Sequence, residues 1–372
     1  MARIVHAEAF LVDLEPRVRR TDAIQSFKSQ ETIFVRVTDA DGAAGMGYSY
    51  TIGDGGHAVL SLLERTLLPA LMGRDGDMIE QVWRGLLFRS HATAVGPIMS
   101  LALAAIDTAL WDLRGRRAGL PLHVLAGGAK SAVRMYSTEG GWLHLEPAAL
   151  VDDALAMREA GFHGSKIKIG TPTVSGDAAR LSAVRAALGE DYEIMTDANQ
   201  SMTAPEAARR LPLLEQLNIA WFEEPLPADD IAGHARLARQ SRVPVAVGES
   251  LYSPGQFADY IAAGACGIVQ ADVARVGGIT PWLKVAHLAE AHNLSICPHF
   301  LMEIHVSLVC AVPNAPWLEY IPQLDDIAAP MARDGGMAIA PAAPGLGIAW
   351  DHDSLRARTM QGSRLTVTED PA

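Results

Sequence analysis

The chain has 372 residues, of which 49% are apolar and 20% charged, and it carries a formal charge of −12. This size suits one large barrel or two to three domains. The balance argues against extended disorder, and with no basic run longer than "RGRR" at Arg114–Arg117 it argues against nucleic acid or an anionic membrane as partner.

Residues 1 to about 50 read as strands. "RIVHAEAFLVDL" alternates, "ETIFVRVTDADGAAGMGYSY" is β-rich, and "DADG" is a hairpin signal between its halves. "GAAGMG" (residues 42–47) does not fit GxGxxG, so its glycines read as hairpin and turn residues. The first 18 residues carry Glu8, Asp13 and Glu15 within their apolar pattern and lack a signal-peptide core. From about 57 to 118 the apolar spacing is helical, and "SLALAAIDTALWDLRGRRAG" ends at Gly119 with arginines in its last turn. Asp107 and Asp112 make this a buried core helix, not a membrane span, and the expected location is the cytoplasm. Strands followed by helices give an N-terminal α+β capping domain, residues 1–128.

From about 132 the pattern becomes strand–helix alternation. "VRMYSTEGG", "GSKIKIG", "YEIMTDANQ", "IAWFEEPL", "VPVAVGES", "GIVQADVARVGG", "LSICPHF" and "PWLEYI" are eight strand candidates, with crossovers long enough for parallel pairing. The fold class is therefore α/β, a modified TIM barrel of (β/α)7β form over residues 129–325. An open doubly wound sheet is the alternative, but "STEGGWLH" lacks the Gly-rich phosphate turn it would want. Residues 326–372, Gly/Pro-rich at first, are expected to fold back onto the capping domain, with "RLTVTEDPA" disordered. Cys266, Cys297 and Cys310 form no CxxC pair and read as packing thiols in a reducing compartment.

Barrels of this kind place chemistry at the C-terminal ends of their strands. The polar residues there are Lys166 and Lys168, Asp197, Glu223, Glu249, Asp272, His299 and Glu319, about 20 to 29 residues apart from Lys168 onward. Asp197, Glu223 and Glu249 end three consecutive strands. Without a counter-charge they would repel, and a hard divalent cation such as Mg2+ resolves this. Each acid alone reads equally as a helix cap, and the adjacent Glu224 leaves the middle ligand open. Lys166 and Lys168 point the same way from one strand, so Lys166 is expected to depress the pKa of Lys168 and make it a base. Asp272 beside His299 fixes an imidazole tautomer and reads as a second acid/base group, against a capping aspartate and a core histidine. Glu319, if protonated, would donate to a developing oxyanion; otherwise it is structural. His57, His91, His144 and His305 lack metal spacing, and His305 reads as packing.

In order and spacing, "KIKIG", "TDANQ", "FEEPL", "VGES", "DVARVGGIT", "CPHF" and "LEYI" resemble the mandelate racemase subgroup of the enolase superfamily. The resemblance spans nearly the whole chain, including "AAIDTALWDLRGRRAGLPLHVLAGG" before the barrel. It implies a substrate carboxylate on Mg2+, removal of the α-proton and an enediolate stabilised by the metal. It assigns Asp197, Glu223 and Glu249 as ligands, Lys168 tuned by Lys166 as one base, His299 with Asp272 as the other, and Glu319 as a partner of the enediolate. It also suggests an even-numbered homo-oligomer. "YSTEGGWLH", "VGGITPWLKVAHLAE" and "CPHFLMEIHVSL" look closer to acid-sugar dehydratases such as the galactarate/talarate group. Polar residues of the two loops expected over the site (Arg17, Arg19, Arg20, Asp22, Gln25, Lys28; Ser49, Tyr50, Thr51, Asp54, His57) suit a polyol acid, either aldarate or aldonate. Racemisation or epimerisation of a 2-hydroxy acid is the alternative, and a non-catalytic binding barrel a more distant one.

Overall fold

The structure, a computed structural model, describes residues 2–93 and 96–369. The N-terminal unit holds β1 (Ile4–Asp13), a small hairpin of β2 (Arg20–Thr21) and β3 (Ser26–Phe27), then β4 (Gln30–Asp39) and β5 (Ala44–Ile52). β1, β4 and β5 form an antiparallel sheet in register from Phe10 opposite Phe34 to Phe34 opposite Tyr48. Gly42, at φ 86°, makes the turn that "DADG" signals. Gly45 and Gly47 are not turn residues. They lie in β5 under the helix Pro97–Ala118, and a Cβ on Gly47 would stand 2.2 Å from the Ala109 nitrogen. The two glycines let that helix lie on the sheet backbone.

The helix Pro97–Ala118 is apolar on nearly every side because it is enclosed by the sheet, by the second unit and by the C-terminal segment. Its two buried acids serve as ties. Asp107 accepts from the Thr280 N–H (2.9 Å) and hydroxyl (2.6 Å), and Asp112 accepts from Met46 N–H (2.9 Å) and Leu346 N–H (2.8 Å).

The second unit supplies β6 (Ala132–Ser137), β7 (Gly164–Lys168), β8 (Glu193–Asp197), β9 (Phe222–Glu223), β10 (Val245–Val247), β11 (Ile268–Val269), β12 (Ser295–Ile296) and β13 (Trp317–Tyr320). These are the eight expected strands. They pair in parallel in the order β12-β11-β10-β9-β8-β7-β6-β13. The Ile296 N–H reaches the Asn314 carbonyl (3.0 Å), linking the end of β12 to the approach to β13. Tyr136, Met195, Trp221, Ala246, Cys297 and Trp317 pack together from these strands and their ends. Of the last segment, β14 (Arg333–Asp334) and β15 (Met337–Ile339) form a hairpin, and β15 pairs antiparallel with β6. β16 (Leu365–Thr368) pairs antiparallel with β1, so the expected disorder of "RLTVT" is overturned; residues 370–372 lie outside the described residues. The three cysteines are buried and free. No helix among the described residues is long and apolar enough to cross a membrane.

Candidate active site

Asp197 closes β8, Glu223 closes β9, and Glu249 follows β10 by two residues. Register explains their meeting: Asp197 stands opposite Glu223, and β9 pairs with β10. Each carboxylate offers an oxygen, and these oxygens lie within 4.8 Å of one another, all buried. Glu223 rather than Glu224 joins the trio. At Glu224 the backbone turns to φ 38°, and its carboxylate meets the Gln200 amide at 3.3 Å. The Glu223 carboxyl is pushed up to about 7, by burial first and then by the Asp197 charge. Glu249 Oε2 is buried without a hydrogen bond of good geometry; His299 Nε2 stands 3.3 Å away. Three buried carboxylates, one of them with an unsatisfied oxygen, form a hard-oxygen donor set positioned for a divalent ion and suited to Mg2+.

Both lysines come from β7, which is buried throughout. Lys166 Nζ lies 3.0 Å from Glu223 Oε1, 2.9 Å from Glu319 Oε1 and 3.7 Å from Asp197 Oδ2. Lys168 Nζ donates to Asp197 Oδ2 and to Asn199 Oδ1 (3.0 Å), and lies 5.3 Å from the Trp142 ring centre. The expected depression of Lys168 is not what results. Burial and Lys166 both press its ammonium toward neutrality, but Asp197, with Glu249 and Glu223 behind it, leaves it above the usual lysine value. Lys166 is also raised: burial opposes its charge and is outweighed by Glu223 and Glu319.

On the other flank, His299 Nδ1 is 2.9 Å from Asp272 Oδ2, which also accepts the Tyr50 hydroxyl at 2.6 Å. Asp272 Oδ1 accepts the N–H groups of Ala274 (2.7 Å) and Arg275 (3.1 Å). Burial works against its charge, yet the His299 bond and charge hold it down at about 2. His299 is raised in turn: burial opposes protonation, but Glu249 and the Asp272 bond favour it. His305 packs as expected. It accepts the Val273 N–H at Nε2 (3.1 Å) and its Nδ1 reaches the Phe300 carbonyl (2.9 Å). Of the two readings left open for Glu319, a protonated donor or a structural acid, its surroundings do not favour the protonated form. Lys166, the Phe300 N–H (2.8 Å) and the Thr138 hydroxyl (2.6 Å) all act on it, and its carboxyl sits well below the usual range despite burial.

Several participants escaped the sequence reading. Arg275 holds the Glu249 carbonyl at 2.9 Å, Gln270 and the Trp221 indole donate to Glu223 Oε2 (2.8 and 3.1 Å), and Asn199 holds Lys168. Spacing gave a signal for two of them: Asn199 is two residues past Asp197 and Arg275 three past Asp272. Asn199, Gln200, Glu224, Phe300 and Leu301 hold φ between 26° and 63° just beyond the strand ends, so backbone strain collects around the site.

Two sequence families match the chain: the mandelate racemase / muconate lactonizing enzyme N-terminal domain over residues 7–127, and the enolase C-terminal domain-like family over residues 149–354. The chain belongs to the enolase superfamily, in its mandelate racemase subgroup. Among relatives, it is similar to L-talarate/galactarate dehydratase of Salmonella typhimurium, 38% identical over 310 residues (83% of this chain, 78% of the relative). It is also similar to 3,6-anhydro-alpha-L-galactonate cycloisomerase of Streptomyces coelicolor, 37% identical over 328 residues (87% and 90%). Arabinonate dehydratase of Saccharolobus solfataricus is 32% identical over 330 residues (85% and 87%). The crystal structure of L-talarate dehydratase from a Polaromonas species, complexed with Mg and L-glucarate, matches with TM-score 0.94 and 36% identity, covering 99% of this chain and 100% of that one. The mixed α/β fold, a parallel-stranded unit behind an N-terminal cap, is that of these capped-barrel enzymes.

Proposed function

We propose that the chain is a Mg2+-dependent acid-sugar dehydratase, a hydro-lyase that turns a 2,3-dihydroxy acid into a 2-keto-3-deoxy acid. One observation carries the reading. An amine and an imidazole, each held by its own aspartate, stand on either flank of one carboxylate trio. Asp197, Glu223 and Glu249 would hold the ion. The chemistry Mg2+ supplies when bound is neutralisation of a carboxylate as its α-proton leaves, together with uptake of the negative charge that otherwise keeps Lys168 protonated. Lys168 or His299 takes the proton from C2, according to the configuration there. The other flank delivers a proton to the C3 hydroxyl, the C3–O bond breaks, water leaves, and the enol tautomerises to the ketone. Asp272 orients the imidazole, and the Lys166 ammonium, positioned by Glu319, supplies positive charge beside the developing oxyanion.

The cap, residues 1–128, covers the site through Asp22, Gln25, Phe27 and Ile52. A cytoplasmic homo-oligomer is part of the proposal, resting on analogy within the superfamily. The test is a screen of the Mg2+-loaded protein against sugar acids, with semicarbazide detecting 2-keto-3-deoxy product. Product with one or more acids, abolished in Lys168→Ala and His299→Asn while ligand still binds, is expected. Exchange of the α-hydrogen in D2O without loss of water would replace dehydration by 1,1-proton transfer.

A further inference from the structure

We propose that the cleft selects sugar monoacids over sugar diacids, and that Asp22 is the residue that makes the selection. The inference rests on the reading above, because it takes the substrate's reacting carboxylate to lie at the trio. The relatives leave the choice open: talarate and galactarate are diacids, whereas arabinonate and galactonate are monoacids.

The cleft over the site is built from two sides of opposite character. The barrel side contributes Lys166, Lys168 and His299, the cationic side chains that line it among the described residues. All three are already engaged with the carboxylates of the site. The capping side contributes Asp22, Gln25, Phe27 and Ile52.

None of the basic residues of that capping loop, Arg17, Arg19, Arg20 and Lys28, lines the cleft, and two of them are held by partners elsewhere. Arg20, 2% exposed, is bound to Glu139 and to the Pro322 carbonyl, with its guanidinium 5.8 Å from the Phe300 ring centre. Arg17 pairs with Asp325 (3.4 Å) and Asp326 (2.6 Å). Asp22 itself is fixed and buried, 6% exposed. Its Oδ1 accepts the N–H groups of Ile24 and Gln25, each at 2.8 Å, in a turn closed by the aspartate side chain. Its Oδ2 accepts no hydrogen bond from a described residue, so it is the oxygen available to a ligand.

Consider the end of the substrate remote from the trio. A second carboxylate there would leave water for a cleft whose cationic side chains are already engaged and whose capping side carries the fixed Asp22 carboxylate, and both features disfavour it. A terminal hydroxymethyl group donates to Asp22 Oδ2 instead, while its C–H faces rest against Phe27 and Ile52. The same geometry thus attracts a neutral polyol end and repels an anionic one.

The experiment compares aldonates with the aldarates of matching configuration, on the Mg2+-loaded protein. Two readouts are taken: kcat/KM for 2-keto-3-deoxy product, and calorimetric Kd on Lys168→Ala, which is expected to hold ligand without turnover. The expected result is a monoacid preference of about tenfold or more in both, since like-charge contact is strongly unfavourable in a water-poor site. Asp22→Asn keeps an Oδ1 for the turn and removes the charge. It is expected to narrow the preference about tenfold, through a gain by the diacid. Diacids bound or turned over as well as or better than monoacids, or no binding of either, overturn the inference, and the kcat/KM comparison on the unsubstituted protein does not depend on how a variant folds. Dehydration with a diacid preference would sink this inference and leave the proposed reaction standing. Monoacid binding without product would do the reverse.

Discussion

Asp272 receives four donors on two oxygens: His299 and Tyr50 on one, two backbone N–H groups on the other. An ionised carboxylate accepts all four; an amide cannot. Asp272→Asn is therefore expected to disturb the His299 tautomer and lower kcat by roughly 10²–10⁴-fold, with KM and Mg2+ binding little changed. Steady-state kinetics with calorimetry of Mg2+ checks this; a fall in Mg2+ affinity instead would make Asp272 a general structural support. At this scale the sequence was informative where one residue ends one strand, as at Lys168 or Asp197. It was silent where the backbone departs from regular geometry: β9 is two residues long, and only the turn at Glu224 decides which glutamate faces the trio. Contacts between units, such as Tyr50 with Asp272, have no local pattern to betray them.

The helix Pro97–Ala118 joins the two units through Asp107, whose carboxyl burial pushes up to about 7 even though Thr280 donates to it twice. The sign follows from proton binding. In the unfolded chain Asp107 loses its proton near 3.8, and in the folded chain near 7. Between these values the folded state binds the extra proton, so its contribution to stability falls as pH rises through that window and stays low above it. Asp107→Asn is expected to flatten the decline between pH 4 and 7, read as midpoint against pH in urea unfolding; an unchanged profile would place the titration elsewhere. The helix itself was legible from its apolar spacing and its glycine stop. The role of Gly45 and Gly47 was not, because it depends on a helix more than fifty residues further on.

For the whole molecule, three buried carboxylates at one rim are a cost of folding that a bound cation relieves. Mg2+ at about a hundred times its Kd is expected to raise Tm by about 3–5 °C, and a chelator to reverse the rise. Asp197→Asn should lose most of that shift in scanning fluorimetry, whereas a shift that survived would locate the ion elsewhere. The barrel's rhythm was readable because each strand–helix unit repeats one physical pattern. β16 was not, since four residues of weak alternation become a strand only when β1 is there to receive them.

That last pairing has a consequence for the order of events during synthesis. β1 is made well before β16, which covers its outer side through His6 opposite Thr368 and Ala9 opposite Leu365. Until β16 emerges from the ribosome, β1 presents an open row of backbone donors and acceptors to whatever is nearby. The nascent chain thus carries a sticky flank while everything between the two strands is made, and that interval is where crowding, chaperones and expression temperature act on its yield.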